Sequence, residues 1–556
     1  MEFFSSRIAR RTLFVLVGLC VALEAWAAPY AMNADVISYF DLADLIQKHQ
    51  WHWVVNAYWH PGYPALLFLT RAVMGSTVWT ELQAARVLNA IIAGLLFLAV
   101  KFALNAAVEL RTSLWSKRGE NSGFEAIPRE TLGIFAAAVT FLLVARDLNP
   151  SATLPDALLA TLLVCGTGFL LRVAAQNKLW SYAGFGLAFG AAFLVKSVSF
   201  PLFLVSLVLL PFLAGSVKKA AKGGILAVLV FAAVAGPYIG ALSHQKGRFT
   251  TGDSGSLNYA WYVDHADRFE QQKNDPSRYG LAKGELKHTS TEILTNPPVY
   301  DYGTARPGTS LQWFDPSYWN DGLKPRFNLQ AQLARCRASA LIVIQYFALR
   351  PQYLLLFLFL ALLGARWNLK DFGPKGVGPV LLLLLAQLGM YFLVLTEPRY
   401  IGSAMLLALV ILLVFLRVPK RDSMHSVLAV SAALFLGMLL CGSFTESLQH
   451  LKRENSVEGR RMGAYKRSTF TAAEALSKAD GIHPGDSVAC LGEYACRGDL
   501  YWARLAQVRI RTEIFADLNP PLSVWEKADK DQVKTTLQGL GVKAIVADFG
   551  ANVTPP

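Results

Sequence analysis

Residues 377–395 (VGPVLLLLLAQLGMYFLVL) and, after the polar break Thr396-Glu397-Pro398-Arg399-Tyr400, residues 401–416 (IGSAMLLALVILLVFL) decide the fold of this chain. Neither run carries a charge, and the first has the length of about 20 residues that a helix needs to cross a hydrocarbon core. Backbone polar groups in lipid must find partners within the protein, so such runs are helices. The same pattern recurs from end to end. Apolar runs near residues 12–30, 84–107, 131–145, 154–171, 180–195, 199–214, 224–242, 350–365, 377–395, 400–416 and 425–443 predict eleven crossings.

Composition agrees. The 556 residues are 54% hydrophobic with a mean hydropathy of +0.36, more apolar surface than one soluble core of ordinary size can hide. The expected class is an α-helical polytopic membrane protein of about 11 transmembrane helices with a small C-terminal α/β soluble domain. A net charge of +14 suggests nucleic acid only where the basic residues share one soluble face. Here they sit in short loops, so membrane lipids and not nucleic acid are the expected partners. Of the six cysteines, Cys20, Cys165, Cys336 and Cys441 lie in or beside apolar runs as small hydrophobes. Cys490 and Cys496 are read first as a disulfide, with two free thiols close behind.

Charge sets the topology. With Arg7, Arg10 and Arg11 inside, the inner loops hold 18 basic residues, against five (Lys48, Arg71, Arg146, Lys196 and Arg399) in the outer loops other than the long one. Counting residues 63–75 as a span would reverse every later loop, so that stretch is expected to be re-entrant or interfacial. The basic start, apolar core and Ala25-Trp26-Ala27 resemble a secretory signal, but ten further spans favour an uncleaved anchor. The chain then divides into a transmembrane catalytic module, 1–445, which includes outer loops 31–83 and 243–340, and an outer α/β domain, 446–556. In that tail, residues 487–491 and 542–547 read as strands and 472–478 as helix.

The first outer loop begins Asn33-Ala-Asp-Val-Ile-Ser-Tyr-Phe-Asp-Leu-Ala-Asp, an amphipathic helix lying along the membrane. Its Asp35 fits a helix cap, and Asp41 and Asp44 read as solvated residues of the polar face. Downstream, Tyr58-Trp59-His60-Pro61 has the look of an aromatic belt at headgroup depth. Ionisable residues recur at outer span ends: Arg86, Arg146, Asp147, Asp156, Lys196, Glu397 and Arg399. An acidic group beside cations is what transfer from a phosphate carrier requires, one to take a proton and the others to stabilise the departing phosphate. In the long loop, Trp313, Tyr318 and Trp319 suit either stacking on sugar faces or packing onto the membrane surface. That loop shows no obvious regular structure and reads as a functional cover. No glycine-rich nucleotide fingerprint is present.

Over residues 1–445 the chain resembles the membrane glycosyltransferases of the GT-C superfamily, in the branch of protein mannosyltransferases and aminoarabinose transferases. The resemblance rests on several short motifs in order: Asp35 and Tyr39 in the first loop, His60-Pro61, Ala85-Arg86 with Asn89, Pro155-Asp156, Lys196 and Arg399-Tyr400. It implies a polyprenyl-phosphate-sugar donor, Asp35 as general base, Lys196 and Arg399 as phosphate contacts, and inversion at the anomeric carbon. Tyr39, His60, Arg86, Asp156, Tyr400, Trp313 and Tyr318 complete the expected substrate-binding set. Many members carry Asp-Glu in the first loop, whereas Asp35 is followed by Val36. No His or Cys spacing supplies zinc, and carboxylates alone are compatible with a divalent cation without demonstrating one.

The expectation is a glycosyltransferase at the outer face of a bacterial inner membrane, hexosyl or pentosyl, acting on a lipid, glycan or protein acceptor of the cell envelope. A transporter or flippase is the competing class, followed by a non-catalytic assembly factor. Transporters often carry paired half-repeats and helices broken at the midplane. No such repeat is evident here.

Overall fold

The computed structural model describes residues 7–27, 32–118, 123–268, 276–455, 469–498, 500–516 and 521–549. Every apolar run expected to span is helical within them; the end of the 12–30 run lies outside the described residues. Five helices cross on length and hydropathy alone: Glu81–Arg118, Arg129–Ala152, Asp156–Gln176, Val217–Lys246 and Met424–Gln449. Leu329–Phe347 with Pro351–Leu362 passes as a pair bent by 65°. Val15–Glu24, Leu179–Val195, Ser199–Ala214, Gly378–Phe392 and Pro398–Val414 are shorter apolar helices. The chain is a polytopic integral membrane protein.

The 329–347 helix begins inside the stretch expected to be loop. Gln330, Gln332, Arg335 and Arg337 dilute its apolar character, which is why hydropathy alone misses it. Pro351, which lacks a backbone N–H, starts the second limb of the bend.

The described residues form two compact units. The first holds the N-terminal helix, Arg86–Thr251 and Leu329–Gln449. Its helices meet along small residues, as membrane helices do where backbones approach closely. A Cβ on Gly186 would stand 2.3 Å from the Ala227 carbonyl oxygen, so glycine is what lets the 179–195 and 217–246 helices touch. The charges at the span ends sort into two sets. Loops expected on the inner side meet one another: Arg118 and Arg417 both reach the fully buried Asp371, and Phe124–Ala126 pairs with Arg417–Pro419. Ends expected on the outer side do likewise, with Arg146 on Glu446 and Arg350 gripping Asp147 through both oxygens at 3.0 and 2.6 Å.

The second unit collects three separated stretches, 30–85, 252–328 and 450–556. Its sheet has five strands in the order Thr291–Thr295, Pro298–Asp301, Arg509–Ile514, Ser487–Leu491, Val542–Ala547. The first three neighbours pair antiparallel and the last three parallel. Two tail strands, Ser487–Leu491 and Val542–Ala547, form where expected, and the strand between them in the sequence, Arg509–Ile514, was not expected. The long loop, expected to be irregular, instead supplies the 291–301 hairpin and the short helix Ser254–Tyr262. Val299, Leu491, Ile514, Val533 and Leu537 are the core between this sheet and the helix Lys530–Gly539. Cys490 and Cys496 form a disulfide.

Gly62–Met74, the stretch expected to be re-entrant or interfacial, is a 13-residue helix. Its rise of about 20 Å is short of the hydrocarbon thickness of about 30 Å. It packs on Asp35–Gln47. That first helix departs from expectation: instead of presenting a polar face to solvent, it buries Val36 to Ala43, Leu45 and Ile46. Asp41 is buried and Asp44 largely so, because Arg504 of the tail lies between them. Its Nη1 is 2.8 Å from Asp41 and 2.7 Å from Asp44, while Nε and Nη2 grip both oxygens of Glu81 at 2.9 Å. Arg71 adds a contact to Asp44 at 2.7 Å, and Thr309 donates its N–H and hydroxyl to Asp41 at 2.8 Å each. Burial pushes the Asp41 carboxyl up against the pull of Arg504 and Thr309. For Asp44 burial acts in the same sense, but Arg504 and Arg71 outweigh it and hold the carboxyl below its ordinary range.

Removing one partner of a buried ion network costs about 3–5 kcal/mol. Arg504→Met is therefore expected to destabilise the second unit by about that much, seen as a lower melting temperature of the purified protein and faster proteolysis within 30–85. Gly186→Leu is expected to sharply reduce the monodisperse fraction in size-exclusion chromatography, since the two helices must separate to admit the side chain. Wild-type behaviour of either variant would contradict the packing described.

Candidate active site

In the membrane unit, three helix ends bring together four of the expected residues. Asp156 opens the 156–176 helix, where a carboxylate also favours the positive end of the helix dipole. Lys196 follows the 179–195 helix in extended backbone, and Arg399 and Tyr400 occupy the first turn of Pro398–Val414. Lys196 Nζ lies 2.5 Å from Asp156 Oδ1, and Arg399 Nη1 lies 3.5 Å from Oδ2. Arg399 Nε also contacts Glu397 at 2.6 Å, and its Nη2 donates to the Tyr400 hydroxyl at 2.9 Å. The Tyr400 ring has the Lys196 ammonium 4.6 Å from its centroid and stacks on Tyr391 at 5.2 Å. A buried carboxylate thus holds two cations whose other N–H donors suit an anion. Glu397 is the most exposed member at 36%.

Arg86 is buried near the start of its long helix in the same unit. Asn89, one turn on, donates to the carbonyls of Pro150 and Leu154 at 3.4 Å each, which fixes the turn leading to Asp156.

In the second unit, Asp35 begins the Asp35–Gln47 helix, but its carboxylate is not the cap. The Asn33 side chain takes the Asp35 N–H at 2.9 Å, and Asp35 Oδ1 accepts the indole N–H of Trp313 at 3.2 Å. Trp313 belongs to an aromatic cluster: its ring centre lies 5.9 Å from Tyr58, 5.9 Å from Trp59 and 6.0 Å from Trp261. Tyr39 is buried against Trp59 and Tyr63. The guanidinium of Arg268 stands 4.9 Å from the Trp313 ring centre. Backbone bonds hold the arrangement: Ser38 Oγ and the Trp59 indole both donate to the Trp313 carbonyl at 3.2 Å, and Asn56 donates to that of Phe314 at 2.9 Å.

His60 is buried beside Trp59. Tyr318 has other company, stacked on His288 at 3.8 Å and under Arg306 at 4.0 Å. Trp319 packs the loop, its indole N–H on the Leu311 carbonyl. The sequence reading did not find Trp261 or Arg268, which sit in a stretch without a motif, and it treated Tyr58 and Trp59 as belt residues. Among the described residues no three His, Cys, Asp or Glu side chains gather as a metal site.

No protein-family model matches the chain. No curated protein sequence matches it either. Among solved structures it is similar to ArnT from Cupriavidus metallidurans in the apo state, at 12% identity and a TM-score of 0.48 over 90% of this chain and 86% of that one. The same protein bound to undecaprenyl phosphate gives 13% identity and a TM-score of 0.39, over 97% of this chain and 90% of that one. The Archaeoglobus fulgidus oligosaccharyltransferase in complex with Zn and sulfate gives 12% identity and a TM-score of 0.48, over 96% of this chain and 68% of that one.

Proposed function

We propose that the protein transfers a hexosyl or pentosyl group from a polyprenyl-phosphate carrier to an acceptor hydroxyl, at the periplasmic face of a bacterial inner membrane. The N-terminus is then cytoplasmic and the second unit periplasmic. The observation that carries the reading is the Asp35 carboxylate held by an indole N–H in an aromatic cluster, since aromatic faces take the apolar faces of sugars and a carboxylate takes a proton. The order of motifs shared with GT-C glycosyltransferases supports it.

In this reading Asp35 accepts the proton of the acceptor hydroxyl as that oxygen bonds to the anomeric carbon. The bond from that carbon to the carrier's phosphate oxygen breaks, the electron pair leaves with the phosphate, and configuration inverts. Lys196 and Arg399 stabilise the charge that develops on the leaving phosphate. Asp156 orients both cations, and the phosphate takes the place of Glu397, the partly exposed counter-ion of Arg399. Tyr39, His60, Arg86, Trp313 and Tyr400 contact substrate or hold those that do. Tyr318 has a lesser part, on the evidence of its separate surroundings.

General bases contribute about 10²- to 10⁴-fold. Asp35→Asn is expected to lose that much of kcat in transfer of radiolabelled sugar from a panel of polyprenyl-phosphate donors, at matched protein levels. Wild-type activity would remove the base assignment. Trp313→Phe keeps the ring but removes the N–H; losing one hydrogen bond to a charged group, of about 1.5–3 kcal/mol, should lower kcat at least tenfold. Glu397→Gln is expected to lower KM for the lipid donor with little change in kcat, while Arg399→Gln raises it; the opposite order would place the phosphate elsewhere.

A further inference from the structure

Within the second unit the Arg504 network is the floor of a cavity of about 350 Å³, a size usual for sites that take small ligands. Asp41, Asp44 and Thr309 face it beside Arg504. Its rim carries Lys48 and Arg509, with the amides of Gln50 and Gln507. All four rim side chains are exposed, and none has a side-chain hydrogen bond or ion pair among the described residues.

The walls are braced before any ligand arrives. Gly485 N–H donates to the Gln507 carbonyl at 2.8 Å, Arg509 N–H to that of Asp486 at 2.9 Å, and Ile510 N–H to that of Thr309 at 2.8 Å. Gly308 adopts φ +112°, and a Cβ there would meet the Phe314 ring at 2.7 Å, so the wall beside Thr309 depends on glycine. Preorganised donors and acceptors lower the ordering cost of binding.

Charge and shape select the ligand. Asp41, Asp44 and Glu81 carry three negative charges against two on Arg71 and Arg504; Lys48 and Arg509 turn that deficit into a net positive charge. Asp44 remains a quarter exposed and retains lone-pair capacity for hydroxyl donors. The half-buried Val78 supplies a short apolar patch that fits the C–H face of a sugar ring, above the buried Leu45 and Val508. We infer that this cavity binds an anionic, hydroxyl-bearing saccharide, with hydroxyls on Asp44 and the rim amides and the anionic group on Lys48 and Arg509. The role that follows is recognition of an acidic glycan acceptor. That role rests on the transferase reading above, whereas the binding itself does not.

The test uses the full-length protein in nanodiscs of zwitterionic lipid, titrated with tetragalacturonate and with neutral maltotetraose in the absence of any lipid-linked donor. Saturable binding of tetragalacturonate is expected, weakened about tenfold or more in Lys48→Ala/Arg509→Ala, each lost contact being a hydrogen bond to a charged group. Neither position belongs to the buried network, so the variant should melt as wild type does. Maltotetraose should not compete at equal concentration. Lys534→Ala/Lys543→Ala, which removes the same charge from exposed positions of the same unit, should bind as wild type. The inference is overturned by absent or unsaturable binding, by equal binding in the rim variant, by effective competition from maltotetraose, or by equal weakening in the Lys534/Lys543 control. Because no donor is present, a failed transfer assay with intact binding removes only the transferase reading, and lost binding with intact transfer removes only this one.

Discussion

Arg504 is the interaction on which the second unit depends. A guanidinium has five N–H donors in a fixed fork, and here they serve three carboxylates from two separate segments, the nearest of them 423 positions away in sequence. An isolated charge so deeply buried would be prohibitively costly, and three neighbouring carboxylates without a cation would repel one another. Each is tolerable only because the others are present. Lysine cannot replace the arrangement, since a single ammonium has no bidentate grip for Glu81. The segment 32–85 therefore holds its fold only with the tail in place, and a tail that looks like an appended domain is a structural member of the unit carrying Asp35. A second buried set reinforces it: Glu513 accepts from Arg497 at 2.7 Å and from the Tyr302 hydroxyl at 2.8 Å, tying the disulfide loop, the central strand and the long loop together.

Hydropathy reads most helices of the membrane unit because that signal is local. A run such as residues 401–416 states its environment without reference to any other segment. The same locality explains what was missed. Asp41 and Asp44 look like solvated polar-face residues at every position within their own helix, and nothing there announces an arginine more than 450 residues later. Asp35 looks like a cap until Asn33 is seen to do that work and Trp313, 278 positions on, is seen to reach the carboxylate. Arg335 and Arg337 lower the hydropathy of a helix whose exposed leucines, Leu333 and Leu341, still give it an apolar surface. The hairpin at 291–301 pairs with a strand from the tail, so its register is set by a partner the local sequence does not contain.

The candidate site was legible in a different way. Lys196, Asp156, Arg399 and Tyr400 were named from separate motifs, and the three helix ends that bear them converge in one cluster. Charges at span ends are commonly anchors, and two other sets at the same ends behave so: Arg350 closes on Asp147 in a one-to-one bidentate pair, and Arg146 on Glu446. The distinction lies in stoichiometry. A one-to-one bidentate pair has satisfied its charges and offers little to a third group. Asp156 is shared between two cations, so neither is fully neutralised by it, and the second acid available to Arg399 is the partly exposed Glu397. An arriving anion can replace an exposed counter-ion at small desolvation cost, whereas it cannot replace a buried one. Asp156 is thus suited to hold the cations in place and Glu397 to yield Arg399, a division of labour that burial alone imposes on two carboxylates attached to the same arginine.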